Sequence, residues 1–288
     1  VKDFPEFVYR KNGAQSIWID RLLVETELLA LLNSPDDLLE KAGCEIIKDQ
    51  KKIKIGRLSV TLEDRRRTIY IKRYNAFSWR YRLGSLFMRS GALDALRGGE
   101  ILKKADISIA RPLAAVESRR YGSLDRSFFV SEEIDRGKTV DAYWLKELAQ
   151  MPGREGYRTR RNFLLALAGL LSRLHRQRIY HNDLKDSNIV VRPTDRNDHT
   201  FFLLDLEGLR RCWYVSGRRR IKNLVQLHRT LGTILSRTHK LYFLDAYLGP
   251  HGAACRNKRR WIRRILNATE KADQRFFHKM RRRTATAI

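Results

Sequence analysis

The sequence is short of the features that commit a chain to a membrane span, a disulfide scaffold or a structural zinc site. Its three cysteines, Cys44, Cys212 and Cys255, make no CxxC pair and no even framework, which points to a reducing compartment. No apolar run approaches the ~18 residues that a spanning helix needs. No secretory leader is legible, so the expected location is the cytoplasm. Internal repeats and low-complexity linkers are also missing. Acids are scarce: 32 Asp and Glu stand against 59 Lys and Arg, a net charge of +27, so a partner rich in negative charge is expected. A chain of 288 residues, 43% hydrophobic, suits one bilobal unit better than two unrelated domains.

What is present is concentrated in two strings. His181 to Val191 reads HNDLKDSNIVV, and Phe202 to Gly208 reads FLLDLEG. The first has the spacing H-x-D-x-K-x-x-N directly before a β-branched run; the second puts an aspartate at the end of an apolar run. Phosphoryl transfer asks for a carboxylate that orients the attacking hydroxyl and for hard oxygen ligands that hold Mg²⁺ against phosphates. Asp183 is the expected catalytic carboxylate, Lys185 a γ-phosphate contact, and Asn188 and Asp205 the metal ligands. The two strings are expected to form a hairpin, Ile189 to Arg192 against Phe201 to Leu204, joined by the turn-rich RPTDRNDH. Upstream, Phe163, Leu164, Leu167, Leu170, Leu171 and Leu174 recur at helical spacing, so a buried helix delivers the chain into the loop.

Further toward the N-terminus, TIYIKRY at Thr68 to Tyr74 alternates as a strand and presents Lys72, the expected nucleotide-phosphate lysine. Its expected partner is a helical acid, Glu100 first and Asp94 second, although Gly98 and Gly99 weaken a helix there. SFFVSEEI at Ser127 to Ile134 reads as a strand that turns acidic at a hinge near Glu132, whose backbone would meet adenine.

With these residues in view, the chain resembles the protein-kinase-like superfamily and, within it, the Kdo and heptose kinases of the lipopolysaccharide inner core, the Kdo/WaaP family. YIKRY at Tyr70, ISIARPLAAVE at Ile107, YHNDLKDSNIVV at Tyr180, LLDLEGLRR at Leu203 and RRRIKNLVQLHRTL at Arg218 carry the resemblance over roughly residues 44 to 240. It implies an α+β bilobal fold, with a small antiparallel-sheet N-lobe over 1–133, an extension to about 43, and a mainly helical C-lobe over 134–288. It also implies ATP and Mg²⁺ as cofactors and an anionic glycolipid or sugar acceptor, reached peripherally at the inner face of the cytoplasmic membrane.

The departures are as informative. No G-x-G-x-x-G lies between Cys44 and Lys72, which leaves KDQKK as the phosphate-covering turn. Asn182 stands where regulated protein kinases carry an arginine that reads a phosphorylated loop. Leu206 and Glu207 follow Asp205 in place of Phe and Gly, no A-P-E string follows, and only about a dozen residues separate Gly208 from the next helix near Ile221. Such a short segment suits a small or sugar-headed acceptor, and a protein or small-metabolite kinase of the same fold is the alternative. A nucleic-acid-binding role built on the charge is disfavoured by the lack of a stacking platform or reading motif.

Several residues carry a plainer reading. His181 is expected to brace the loop rather than to move protons, Asp186 and Glu207 read as surface or capping acids, and Asn223 reads first as a helix cap and second as a brace of the catalytic loop. Near the C-terminus, Trp261, Ile262, Ile265 and Leu266 form an apolar stripe among arginines, which suits packing on the larger lobe somewhat better than a membrane surface.

Overall fold

The structure is a computed structural model that describes residues 4–63, 65–76, 78, 84–194, 198–252 and 255–285. The chain divides into two compact units: the first runs to Asp135 and includes Leu204–Leu209, and the second comprises Arg136–Leu203 and the chain from Arg210 on.

The first unit is built on a seven-stranded antiparallel sheet. Its strands are β1 (Phe7–Asn12), β2 (Gln15–Asp20), β3 (Glu45–Gln50), β4 (Ile53–Leu62), β5 (Arg65–Asn75), β6 (Pro112–Arg120) and β7 (Ser123–Glu132), in the order β1-β2-β6-β7-β5-β4-β3. The stretch to residue 43 is therefore no mere extension, since β1 and β2 continue the sheet past β6. Two short helices from the same stretch, α1 (Glu27–Leu31) and α2 (Pro35–Glu40), pack on β4. Strand alternation explains the core: Ile69 and Ile71 of β5 are fully buried with Ile17, Leu28, Leu58, Val116 and Phe128, and Tyr70 and Lys72 take the opposite face. KDQKK forms the end of β3 and a two-residue Lys51-Lys52 turn, with Gln50 paired to Ile53.

Helix α3 (Gly91–Lys103) starts at Ser90, whose hydroxyl accepts the Leu93 N–H. Its buried residues are small or apolar, Ala92, Ala95, Leu96, Gly98, Gly99 and Leu102. The helix packs on β6, on β7 and on the 3₁₀ turn Leu206–Gly208, where Gly98 meets Leu206. That packing groups Leu204–Leu209 with the first unit, whereas the sequence had suggested that these residues stay with the C-terminal lobe.

The second unit pairs a small sheet with helices. Strands β8 (Lys138–Thr139), β10 (Ile189–Pro193) and β11 (His199–Leu203) order as β11-β10-β8, with Ile189 opposite Leu203 and Val190 opposite Phe202; β9 (Ile179–His181) leads into the loop before β10. Helix α4 (Val140–Tyr143) runs into a π-helical turn, Trp144–Leu148. Helix α5 (Gly153–Arg176) buries Phe163, Leu164, Leu167, Leu171 and Leu174, and it begins earlier than the apolar spacing alone suggests because its first turns carry mostly charged residues.

Beyond β12 (Leu209–Arg211) come α6 (Gly217–Arg229), α7 (Leu231–Ile234), α8 (Arg237–Gly252, kinked at Gly249) and α9 (Cys255–Ala285). On α9, Ile262 and Ile265 are half-buried and Leu266 is exposed, and the three line an open groove of about 530 Å³ with Leu224, Leu227 and Leu244. Arg259, Arg260, Arg263 and Arg264 are exposed. No helix among the described residues is long and apolar enough to cross a membrane.

Candidate active site

The catalytic string occupies one continuous element of the second unit. After β9, residues 182–185 form an open loop, Asp186–Asn188 make one 3₁₀ turn, and the chain enters β10. Lys185 Nζ lies 3.0 Å from Asp183 Oδ2, with both side chains substantially exposed. Asn188 is buried, and its Nδ2 donates to the Asp183 carbonyl at 2.8 Å and reaches its carboxylate at 3.4 Å. The amide nitrogen being committed in this way, the amide oxygen of Asn188 is the atom that can accept a cation. His181 is fully buried, and its Nδ1 accepts the Asp183 N–H at 3.2 Å, which makes it a brace.

A buried network lies behind this loop, and it favours the second reading of Asn223, the brace, over the cap. Asn223 does not cap α6, since the Ser216 hydroxyl takes that role by accepting the Arg219 N–H. Asn223 lies within the helix, 1% exposed, and its Nδ2 donates to the His181 carbonyl at 2.6 Å and to Gln226 Oε1 at 2.9 Å. Gln226 in turn accepts the Leu184 N–H and donates to the Asn182 carbonyl, and Lys222 donates to Asn182 Oδ1. Asn182, where regulated kinases place an arginine, thus ties the loop to α6. His175 Nε2 lies 3.1 Å from Asn223 Oδ1 and Nδ1 lies 2.8 Å from the Tyr247 hydroxyl. An amide oxygen only accepts, so Nε2 carries the proton and Nδ1 accepts from Tyr247. Burial pushes the His175 pKa down to about 4, with Arg220 adding to the effect and Asn223 opposing it. The available signal was polar residues on otherwise apolar helix faces: His175 beside Leu171 and Leu174, and Asn223 beside Leu224 and Leu227.

In the first unit, Lys72 is the centre of a charged cluster. Its ammonium donates to Asp205 Oδ1 at 2.6 Å and to Glu207 Oε1 at 2.5 Å, and it lies 5.1 Å from the centre of the Tyr74 ring. Burial works against the charge on Lys72, but Glu207 and Asp205 outweigh it and raise the pKa above the usual lysine value. Tyr74 is buried, and burial together with the charges of Glu207, Asp205 and Asp94 drives its pKa well upward. Asp205 itself is left-handed, at φ 53° and ψ 50°.

Two expectations for cofactor contacts change. Glu100 does not partner Lys72; its carboxylate is 3.9 Å from Lys104, and with Lys103, Asp20 and Arg111 it lines a separate cleft. The reason is the rotation of α3, which turns Gly98 toward the 206–208 turn and Glu100 aside. Asp94, the second choice, is the acid of α3 whose charge reaches the cluster, through Tyr74. Glu132 sits at the end of β7, but its carboxylate is held by Arg67 at 2.9 Å and its N–H by the Arg111 carbonyl. Glu133 is likewise fixed by both Arg57 and the Thr68 carbonyl. A base at this hinge would have to meet backbone atoms other than these two N–H groups.

Among the described residues no group of three or more His, Cys, Asp or Glu is placed to hold a metal alone. Mg²⁺ used in phosphoryl transfer takes one or two carboxylates and completes its shell with phosphate oxygens and water, so it does not call for such a group. The Asp205 carboxylate in the first unit and the Asn188 amide oxygen in the second are each oxygen donors.

A catalytic loop with this carboxylate, lysine and asparagine, and a strand lysine beside a downstream aspartate, define a kinase-like phosphotransferase. The chain belongs to the lipopolysaccharide kinase (Kdo/WaaP) family, whose model matches residues 46–247. Among solved structures it is similar to one described as WaaP in complex with acyl carrier protein, at a TM-score of 0.64 and 20% identity, covering 86% of this chain and 96% of that one. That likeness shows the kinase-like fold. No curated protein sequence matches significantly.

Proposed function

We propose that this kinase transfers the γ-phosphoryl group of ATP to a hydroxyl of a lipopolysaccharide inner-core sugar, Kdo or heptose. The observation that carries this reading is the Asp183 carboxylate, set beside Lys185 on a loop that Asn188, His181 and Asn223 brace from within. Asp183 orients and deprotonates the acceptor hydroxyl, Lys185 neutralises charge on the transferring group, and Lys72 holds the nucleotide phosphates. Asn188 and Asp205 would hold Mg²⁺, whose contribution is to neutralise charge on the phosphates. The short chain between Gly208 and α6 favours a sugar over a polypeptide acceptor.

Peripheral contact with the inner face of the cytoplasmic membrane belongs to the same reading. Between Glu207 and Asp245 there is no acid, but there are nine Lys and Arg. Trp213 and Tyr214 in that stretch are 92% and 63% exposed, an amphipathic pair suited to lipid headgroups. Mass spectrometry of lipopolysaccharide from cells with and without the gene tests the proposal: a core phosphate should disappear with the gene, and an unchanged core would refute it.

A further inference from the structure

We propose that Glu207 is the acid that orients Lys72, in the role for which a helical glutamate was expected. This rests on the reading of Lys72 as the phosphate-binding lysine and extends it to a residue that sequence patterning assigned to the surface.

Lys72 is 12% exposed and therefore needs a lasting counter-charge. Two carboxylates supply it. Asp205 is the more exposed, at 38%, and it is also the candidate metal ligand, so its charge becomes shared once a cation binds. Glu207 is 24% exposed and at 2.5 Å from the ammonium, and it remains. Glu100 of the helix is turned aside, toward Lys104. At Gly98, where α3 meets the turn, an added Cβ would stand 2.1 Å from the Leu206 carbonyl oxygen, so no side chain fits there. Leu206 is buried between the two acids and docks the turn on α3. The helix thus positions the lysine through this turn rather than through a side chain of its own. Asp205 and Glu207 divide the work: one alternates between lysine and metal, and the other stays with the lysine.

The test is Mg-ATP affinity together with kcat and KM for ATP determined separately, measured on Lys72→Met, Glu207→Gln, Glu207→Asp and Glu100→Gln, with thermal unfolding as a check on folding. Lys72→Met should lose most ATP affinity. Glu207→Gln should raise KM by roughly tenfold, the scale of one charge-assisted hydrogen bond. The loss should fall on KM more than on kcat. Glu207→Asp should recover part of the loss, and Glu100→Gln should match wild type. A merely structural Glu207 would lower the unfolding midpoint without raising KM. If Lys72→Met loses ATP while Glu207→Gln keeps the wild-type KM, the assignment of Glu207 is wrong. If Lys72→Met binds ATP normally, the reading of Lys72 itself fails, and that of Glu207 with it.

Discussion

A Cβ added to Gly98 would lie 2.1 Å from the carbonyl oxygen of Leu206. Backbone meets backbone at this crossing; Gly91, the first residue of α3, makes a close approach of another kind, where a Cβ would stand 2.7 Å from the Tyr74 ring. Gly98, which costs about 1 kcal/mol of helix propensity, is thereby explained: it lets α3 lie on the turn that carries Asp205 and Glu207.

Gly98→Ala should therefore destabilise the protein by about 1–3 kcal/mol, the usual cost of overpacking. It should also weaken ATP use, since the turn must move to admit the methyl group. Urea denaturation and ATP titration on this variant provide the check. A variant as stable and active as wild type would show that the crossing tolerates separation.

Asp183→Ala and Asp205→Ala should each reduce transfer by ~10² to 10⁴ or more while leaving the fold intact. Near wild-type turnover in either variant, with the unfolding midpoint unchanged, would remove that residue from the catalytic set.

The network behind the loop predicts a different signature. Asn223→Ala removes the donor to the His181 carbonyl and strands His175 Nε2–H, so stability should fall by about 1–3 kcal/mol. kcat should fall while KM for ATP changes little, because the residue braces the acceptor side. Steady-state kinetics with ATP varied at saturating acceptor would separate the two effects.

His175 adds a pH dependence. Its folded pKa of about 4 lies below the 6.5 of a free histidine, so the unfolded chain binds the extra proton. Its neutral form supports the fold fully above pH 6.5, and that support, on the order of 3 kcal/mol, is lost as pH falls from 6.5 toward 4. Thermal unfolding from pH 7 to 4.5 should show a steep loss that His175→Gln flattens. An unchanged slope in His175→Gln would place the titration elsewhere, for instance at His199, whose pKa burial also lowers.

Charge and aromatics on the second unit make a separable prediction. Trp213→Ser with Tyr214→Ser should weaken binding to phosphatidylglycerol-containing vesicles by roughly tenfold or more, as expected when two aromatic side chains lose apolar contact. High salt should weaken wild-type binding as well. Replacing Arg259, Arg260, Arg263 and Arg264 with glutamine should have the smaller effect, since these exposed side chains supply screened charge without apolar contact. Co-sedimentation unaffected by the aromatic pair would exclude it as the lipid contact.

Much of this was legible in the sequence because catalytic chemistry is local. Asp183, Lys185 and Asn188 lie on one loop with fixed spacing, and the apolar alternation around Lys72 marks its strand. What escaped notice depends on tertiary geometry. The rotation of α3 decides between Glu100 and Glu207, and spacing cannot reveal a rotation set by a backbone crossing at Gly98. Asn223 looked like a cap because polar residues near helix starts usually are, whereas Ser216, seven residues earlier, holds the true N-terminus. β1 and β2 extend the sheet from the far side of β6, a pairing with no signature in the chain before residue 43.

The central claim is that Asp183 drives phosphoryl transfer to an inner-core sugar. Its most direct test is incubation of purified protein with γ-labelled ATP, Mg²⁺ and dephosphorylated core lipopolysaccharide, comparing wild type with Asp183→Asn. The account predicts label on a Kdo or heptose hydroxyl with wild type and a loss of at least ~10² in rate with the variant. Label that appears on protein but not on glycolipid, or glycolipid labelling that survives in Asp183→Asn, would contradict it.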